Sequence, residues 1–272
     1  MWIAFVVAVL ATAGNHIGKV FQKRGTDDLP QFALKWSVFK QYLGNKIWLG
    51  GFLGDFAGAI FTAIALALAP VSTVQPIISA GVVFLVVFSY FYLGEEVIAR
   101  EWIGVGMSVV GAIGIGLTMA ASSKDKFNFQ AAIIVVGIIV VLMVICEVLF
   151  RKGKWVEFST GLQAGLGFAL SATSMRTGML LSQQHSQPLW AVVGIVGSIG
   201  LSSTGFFLQT RGLKGGRAVA IGTFTNVFVL VTAVLLGLFV LNESMPTDPT
   251  QWWIRISSFG VILLGTALMA KE

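Results

Sequence analysis

Long apolar runs separated by short polar joints make up most of this chain. A helix crosses the hydrocarbon of a bilayer with about 20 mostly apolar residues. Runs of that kind recur at about residues 1–22, 47–69, 72–94, 102–121, 129–150, 157–181, 188–210, 217–241 and 251–270. Membrane barrel strands are half as long and alternate in polarity, and these runs do not alternate. The pattern predicts an all-α, polytopic transmembrane bundle of about nine spans, with the lipid bilayer as its solvent. Pro70 separates the second and third spans, and Pro188 opens the seventh. The run from Met1 has no basic start and no small-residue cleavage site, so it reads as a first span rather than a signal peptide.

Charge gives the bundle a direction. Thirteen Lys and Arg, from Lys23 and Arg24 to Lys271, fall on the side reached after odd-numbered spans, against Lys124 and Lys126 on the other. Cytoplasmic loops carry the excess of Lys and Arg, so the expected topology has the N-terminus outside and the C-terminus in the cytoplasm. The longest joint, about 23–46, is on the basic side. Within it Phe32, Trp36, Phe39 and Leu43 recur at helical spacing beside Lys35 and Lys40. That predicts a short amphipathic helix at about 29–44, lying at the cytoplasmic interface. An ordered connector without lipid contact accounts for it equally well.

Composition narrows the function classes. Of 272 residues 56% are hydrophobic and 11% charged, with mean hydropathy +0.86. A soluble domain carries about 25% charged residues. The net charge of +6 follows from the basic loops and does not imply nucleic acid. The single cysteine, Cys146, allows no intramolecular disulfide. The 32 glycines lie largely inside apolar runs, where small residues let helix backbones approach. Gly194, Gly197 and Gly200 read as packing of this sort. No nucleophile triad, metal-ligand spacing or nucleotide-binding loop is present, so the chain is not expected to be an enzyme or to carry a cofactor.

The chain also repeats itself. Leu93-Gly94-Glu95 ends the third span and Leu241-Asn242-Glu243 ends the eighth. Each is followed by a helix with paired glycines, Gly106 and Gly111 in one and Gly260 and Gly265 in the other. Upstream, Ala69-Pro70 corresponds to Arg217-Ala218. In the expected topology Glu95 is cytoplasmic and Glu243 external, so the copies run in opposite directions. The division is a first repeat, 1–121, of four spans plus the interfacial helix, and a second, 129–272, of five. Inverted repeats of this kind occur in secondary transporters, with the substrate between the copies near the midplane.

The stretch from Leu68 to Gly111, with Ala69-Pro70, Gln75-Pro76, Leu93-Gly94-Glu95 and the Gly106/Gly111 pair, resembles the drug/metabolite transporter superfamily of EamA-like proteins. Nine spans, an external N-terminus, a basic first loop with Lys23-Arg24-Gly25 and the Pro70-to-Pro76 spacing are most similar to its NIPA branch. That resemblance implies a transporter with a divalent cation, Mg2+ in particular, as cargo. It also implies a Gly-Glu and a nearby Asn in the second span. At those positions this chain has Ala59 and Thr62, and its acid, Asp55, lies one helical turn earlier. An organic metabolite therefore remains an alternative cargo, and a non-transporting subunit of a larger membrane complex an alternative role.

Polar groups within spans are candidate functional residues, because an acid at mid-span costs about 2.5–3.5 kcal/mol to insert. Asp55 leads, nine residues past Lys46 and so about 13 Å deep at 1.5 Å per residue. It is the candidate for substrate contact and, if the cargo is an ion, for metal ligation, with an interhelical pair to Lys19 as the competing reading. Asn15, His16, Gln75, Thr223 and Asn226 are further candidates for binding a small hydrated solute, against the alternative of helix–helix hydrogen bonding. Gln75 and Thr223 correspond when Glu95 is set against Glu243. Lys19 and Glu147 are expected to pair charges within the bundle, Glu147 with its i+4 neighbour Arg151. Ser171, Thr173, Ser174 and Arg176 make the sixth span unusually polar. Glu95 and Glu243, at helix ends, are expected to cap or shape turns. A homodimer or larger membrane assembly is compatible with so little aqueous surface.

Overall fold

The computed structural model describes residues 2–27, 29–32, 35–118, 127–151, 155–243 and 245–270. Those residues form helices and joints, with no strand among them. In chain order the helices are α1 (Trp2–Thr26), α2 (Trp36–Gly44), α3 (Lys46–Leu68), α4 (Val71–Ala80), α5 (Val82–Phe88), α6 (Ala99–Leu117), α7 (Phe129–Arg151), α8 (Val156–His185), α9 (Pro188–Leu213), α10 (Ala218–Phe239) and α11 (Pro249–Ala270). Six stretches are long and apolar enough to cross a membrane, namely α1, α3, Thr73–Leu93, Phe129–Val148, α9 and α10. The expected fourth, sixth and ninth spans are occupied by α6, α8 and α11. The α8 helix is buried along most of its length, so its Gln163, Ser171, Thr173 and Arg176 are solvated by protein rather than lipid. Residues 119–126, between the two expected repeats, lie outside the described residues.

Where the backbone departs from a plain helix, the cause is local. Pro76 lies inside α4 and has no N–H to donate. At Gly81 the chain makes a tight turn, with the Gly81 N–H bonded to the Ile78 carbonyl at 3.0 Å. The expected third span is therefore α4, α5 and a closing π-helical turn, Ser89–Leu93, rather than one rod. That turn ends at Gly94 with φ of 68°, and α10 ends in a matching turn at Asn242 with φ of 48°. Left-handed backbone is tolerated by Gly and, among other residues, best by Asn. The bonds also match: Glu95 N donates to Ser89 O, and Glu243 N to Gly237 O, six residues back in each case.

Glycine governs the packing. The α1–α3 and α8–α9 pairs are the most extensively packed, followed by α6–α11 and α8–α10. A Cβ on Gly18 would lie 2.6 Å from the Gly51 carbonyl oxygen and 2.7 Å from the Asp55 nitrogen. Gly178 and Gly194 meet backbone to backbone between α8 and α9. Between α6 and α11 the contacts are reciprocal: Gly111 faces Ser258 and Ile262, while Gly265 faces Gly104, Met107 and Ser108. Gly106, Gly200 and Gly260 have open space instead.

The segment between α1 and α3 differs from its expected form. A helix over 29–44 is not found; α2 begins at Trp36. Phe32 does not join its apolar stripe but turns inward, its ring 4.7 Å from Tyr42 and 5.6 Å from Phe207. A proline disfavours the helical region at the residue before it, here Leu29, and Phe32 packs against the buried Trp48. The Tyr42 hydroxyl donates to the Pro30 carbonyl at 2.7 Å, and burial pushes it above the usual phenol range. Trp36 remains 73% exposed, as a residue at a lipid interface would.

Because α1 and α3 meet at glycine, Gly18→Leu is expected to reduce the yield and thermal midpoint of monodisperse protein in detergent. Overpacking costs about 1–3 kcal/mol, and here the obstruction is backbone. Gly137→Leu, where nothing lies within 4 Å, should leave both unchanged in the same fluorescence-detected chromatography.

Candidate functional site

Three helices cross at a buried polar cluster. His16 on α1 is 1% exposed. Its Nε2 lies 2.9 Å from Asn226 Nδ2 on α10, and its Nδ1 lies 2.9 Å from the Thr12 carbonyl. A carbonyl only accepts, so Nδ1 carries the proton. Nε2 then accepts from the Asn226 amide, and the imidazole is neutral. Thr12 Oγ1 donates to the Ile78 carbonyl on α4 at 2.6 Å, and Ser79 Oγ donates to the Asn226 carbonyl at 3.5 Å. A Cβ on Gly81 would run into the Thr12 hydroxyl, so the break between α4 and α5 also makes room for this cluster.

The other candidates surround this crossing rather than converge on one point. Asp55 faces α1 one turn farther along, where Gln22 Nε2 donates to Asp55 Oδ2 at 3.2 Å. Lys19, on the same turn of α1, is the nearby positive charge for Asp55, and its ammonium stands 5.9 Å from the centroid of the Phe168 ring on α8. Gln75 and Thr223 are buried one turn from Ser79 and Asn226. Because α4 and α10 run antiparallel, those two residues diverge toward opposite ends of the bundle. The Thr223 hydroxyl has no hydrogen-bond partner among the described residues. Asn15 points to a different face, where Nδ2 donates to Thr62 Oγ1 at 3.4 Å. Asn15 thus engages Thr62, the position where the NIPA pattern has an amide.

Glu147 stands apart from the cluster. Its partner is Arg211 of α9, at 2.7 Å and 3.2 Å through both carboxylate oxygens, with Gln163 of α8 donating at 3.3 Å. The expected neighbour Arg151 has a side chain outside the described residues. Arg211 lies far along the sequence, and only tertiary packing brings it to Glu147. Sequence reasoning also passed over Thr12, Gln22 and Ser79. Thr12 and Gln22 sit at helical spacing from His16 and Lys19, so a helical-face reading of α1 would have found both.

The two acids at the matching helix ends reach across the molecule. Glu95 Oε1 accepts from Ala218 N at 2.9 Å, and Oε2 from Val219 N at 3.3 Å. Glu243 Oε1 accepts from Val71 N at 2.9 Å. Each carboxylate caps the N-terminus of a helix in the other half of the chain, α10 and α4 respectively, where free N–H groups and the helix dipole favour an anion.

No family model matches the chain, and no solved structure does. Among curated proteins it is 38% identical to a probable magnesium transporter, NIPA9, of Arabidopsis thaliana, over 100% of this chain and 83% of that protein. Solute carrier family 35 member F6 of rat and of human is 21% identical, over 84% of this chain and 67% of theirs. The chain belongs to the NIPA branch of the drug/metabolite transporters. It is therefore an integral, multi-pass membrane transporter. In this NIPA-type chain the site differs from a preformed metal cage: among the described residues, no group of three His, Cys, Asp or Glu could hold a metal ion. The arrangement offers one carboxylate, several amides and hydroxyls, and a neutral imidazole, all of which suit hydrogen bonding to a hydrated solute.

The Glu147–Arg211 pair gives a test of its structural character. Arg211→Met should lower the thermal midpoint, because it takes the bidentate cation from a partly buried acid, at a cost below the ~3–5 kcal/mol of a fully buried pair. The double change Glu147→Met with Arg211→Met should recover most of that loss, since the desolvated charge is gone as well. Thermal melts of the three proteins, with transport per folded molecule retained in the double variant, would check it.

Proposed function

We propose that this transporter moves a small hydrated solute, with Mg2+ or another divalent cation as first candidate, by alternating access between two inverted repeats. The cargo rests on one observation, the full-length likeness to a probable magnesium transporter. Mg2+ dehydrates reluctantly and is commonly held through one or two carboxylates while keeping its waters. In this reading Asp55 supplies the hard oxygen, and the amides and hydroxyls near the α1–α4–α10 crossing bind the water shell. Lys19 and Gln22 hold the carboxylate when no cation is present.

The repeats are read as 1–121 and 129–272, with nine spans, the N-terminus outside and the C-terminus cytoplasmic. The left-handed turns at Gly94 and Asn242 support the repeat. So do the crossed caps of Glu95 and Glu243 and the reciprocal glycine contacts of α6 and α11. The 13-to-2 charge imbalance supports the direction. A reporter fused after Glu272 should accordingly read cytoplasmic, and an external reading would reverse the topology.

The deciding experiment is uptake into proteoliposomes, comparing Mg2+, other divalent cations and small organic solutes. Mg2+ uptake by the unaltered protein is expected to fall about tenfold or more in Asp55→Asn, equivalent to ~1.4 kcal/mol of lost interaction. Organic uptake with no divalent flux would replace the cation with a metabolite. Undiminished Mg2+ flux in a folded Asp55→Asn protein would remove Asp55 from the pathway.

A further inference from the structure

We infer that Glu95 and Glu243 are the latches of two gates, one at each end of the pathway, and that each holds shut the end at which it lies. The inference rests on the alternating-access reading above. Its ground is geometric: the two caps are crossed. The helix that ends in Glu95 begins under the cap of Glu243, and the helix that ends in Glu243 begins under the cap of Glu95. These two helical units carry Gln75 and Ser79, and Thr223 and Asn226, so the helices capped are the ones that bring polar groups to the crossing.

Each cap is reinforced by charge from its own end. At the Glu95 end, Glu157 Oε1 accepts from Arg217 N at 2.7 Å, so the first three N–H groups at this helix start, from Arg217, Ala218 and Val219, all meet carboxylate oxygens. The Arg217 guanidinium then donates to the Glu96 carbonyl at 3.0 Å and to Glu101 at 3.4 Å. At the Glu243 end, Pro70 has no N–H, and Val71 N is the first donor available. Arg255 of α11, 2% exposed, lies beside Glu243 and donates to Thr73 Oγ1 on α4 at 3.1 Å. In both places a carboxylate from one half grips the helix start of the other, and an arginine ties in a further segment.

A cap of this kind acts over a short range, because an N–H group moved by one or two ångströms no longer meets the carboxylate at hydrogen-bond distance. Separating the halves at one end breaks one latch and leaves the other intact. The polar crossing at His16 and Asn226 lies between the two and serves as the pivot. Both latches are closed in this structure, which corresponds to the occluded arrangement of such a cycle. Glu95 and Glu243 are thus positioning residues. They do not touch the cargo but determine from which side it enters.

The test is side-selective labelling of the interior. In a Cys146→Ala background, Thr223→Cys reports on the Glu95 end and Gln75→Cys on the Glu243 end, read with a membrane-impermeant maleimide in vesicles of each orientation. Glu95→Ala should accelerate labelling of the Thr223→Cys reporter at least about fivefold, from its own side only, as expected for losing a cap. Glu243→Ala should do the same for the Gln75→Cys reporter from the opposite side. Glu95→Gln and Glu243→Gln keep an acceptor oxygen and should give smaller increases, and they stand in if an alanine variant does not fold. Acceleration from both sides alike, or unchanged labelling in folded variants with a lowered melting temperature, would overturn the latches and leave the two acids a purely structural role. Labelling needs no cargo, so side-selective acceleration without uptake of any divalent cation would retain the latches and overturn the proposed cargo instead.

Discussion

Hydrocarbon offers no hydrogen bonds, so a polar group within a span is stabilised most by a partner inside the protein. The backbone meets that demand by being helical. The side chains meet it by pairing across helices, as Glu147 does with Arg211, Asp55 with Gln22 and His16 with Asn226. The same demand operates at helix ends, where up to four N–H groups are left without intrahelical partners. An end within or near the bilayer needs an acceptor. Glu95 and Glu243 provide it, and they do so from the opposite half of the molecule.

Glycine makes these pairings reachable. Close approach of α1 to α3 through Gly14, Gly18, Gly51 and Gly58 brings the Gln22 amide to the Asp55 carboxylate. With larger residues on that seam the helices would stand farther apart and the bond would be lost. The break at Pro76 and Gly81 has a related effect on the third expected span. It turns a straight rod into segments, so that Thr12 bonds the Ile78 carbonyl within the bundle. Packing and polar satisfaction are therefore one problem in this protein. Three tightly constrained glycines, Gly18, Gly58 and Gly81, each lie beside a polar contact.

The chemistry at the crossing is mild. It consists of a neutral imidazole, amides, hydroxyls and one acid near one lysine. Weak, numerous contacts suit a solute that must be bound and then released, and they suit one that retains its water. A resident metal would require a tighter and more acidic set. The carboxylate of Asp55 lies one turn from where the NIPA pattern has its acid, within the same helix. It stands against Lys19 and Gln22 of α1.

Much of this was legible in the amino-acid order. Hydropathy located the helices, since lipid rewards long apolar runs irrespective of their neighbours. The matching Leu-Gly-Glu and Leu-Asn-Glu endings announced matching turns, because left-handed backbone restricts residue choice locally. Candidate polar residues were visible because each is costly in a span. What the sequence could not determine was partnership. Nothing near Glu147 names Arg211 and nothing near Glu95 names Ala218, since both contacts join residues remote along the chain. Phe32 fits a helical stripe by spacing, yet it turns inward and packs against Trp48. Local rules determine which residues are helical and which are costly. Only the tertiary structure decides which costs cancel each other, because that depends on helices approaching to within a hydrogen bond.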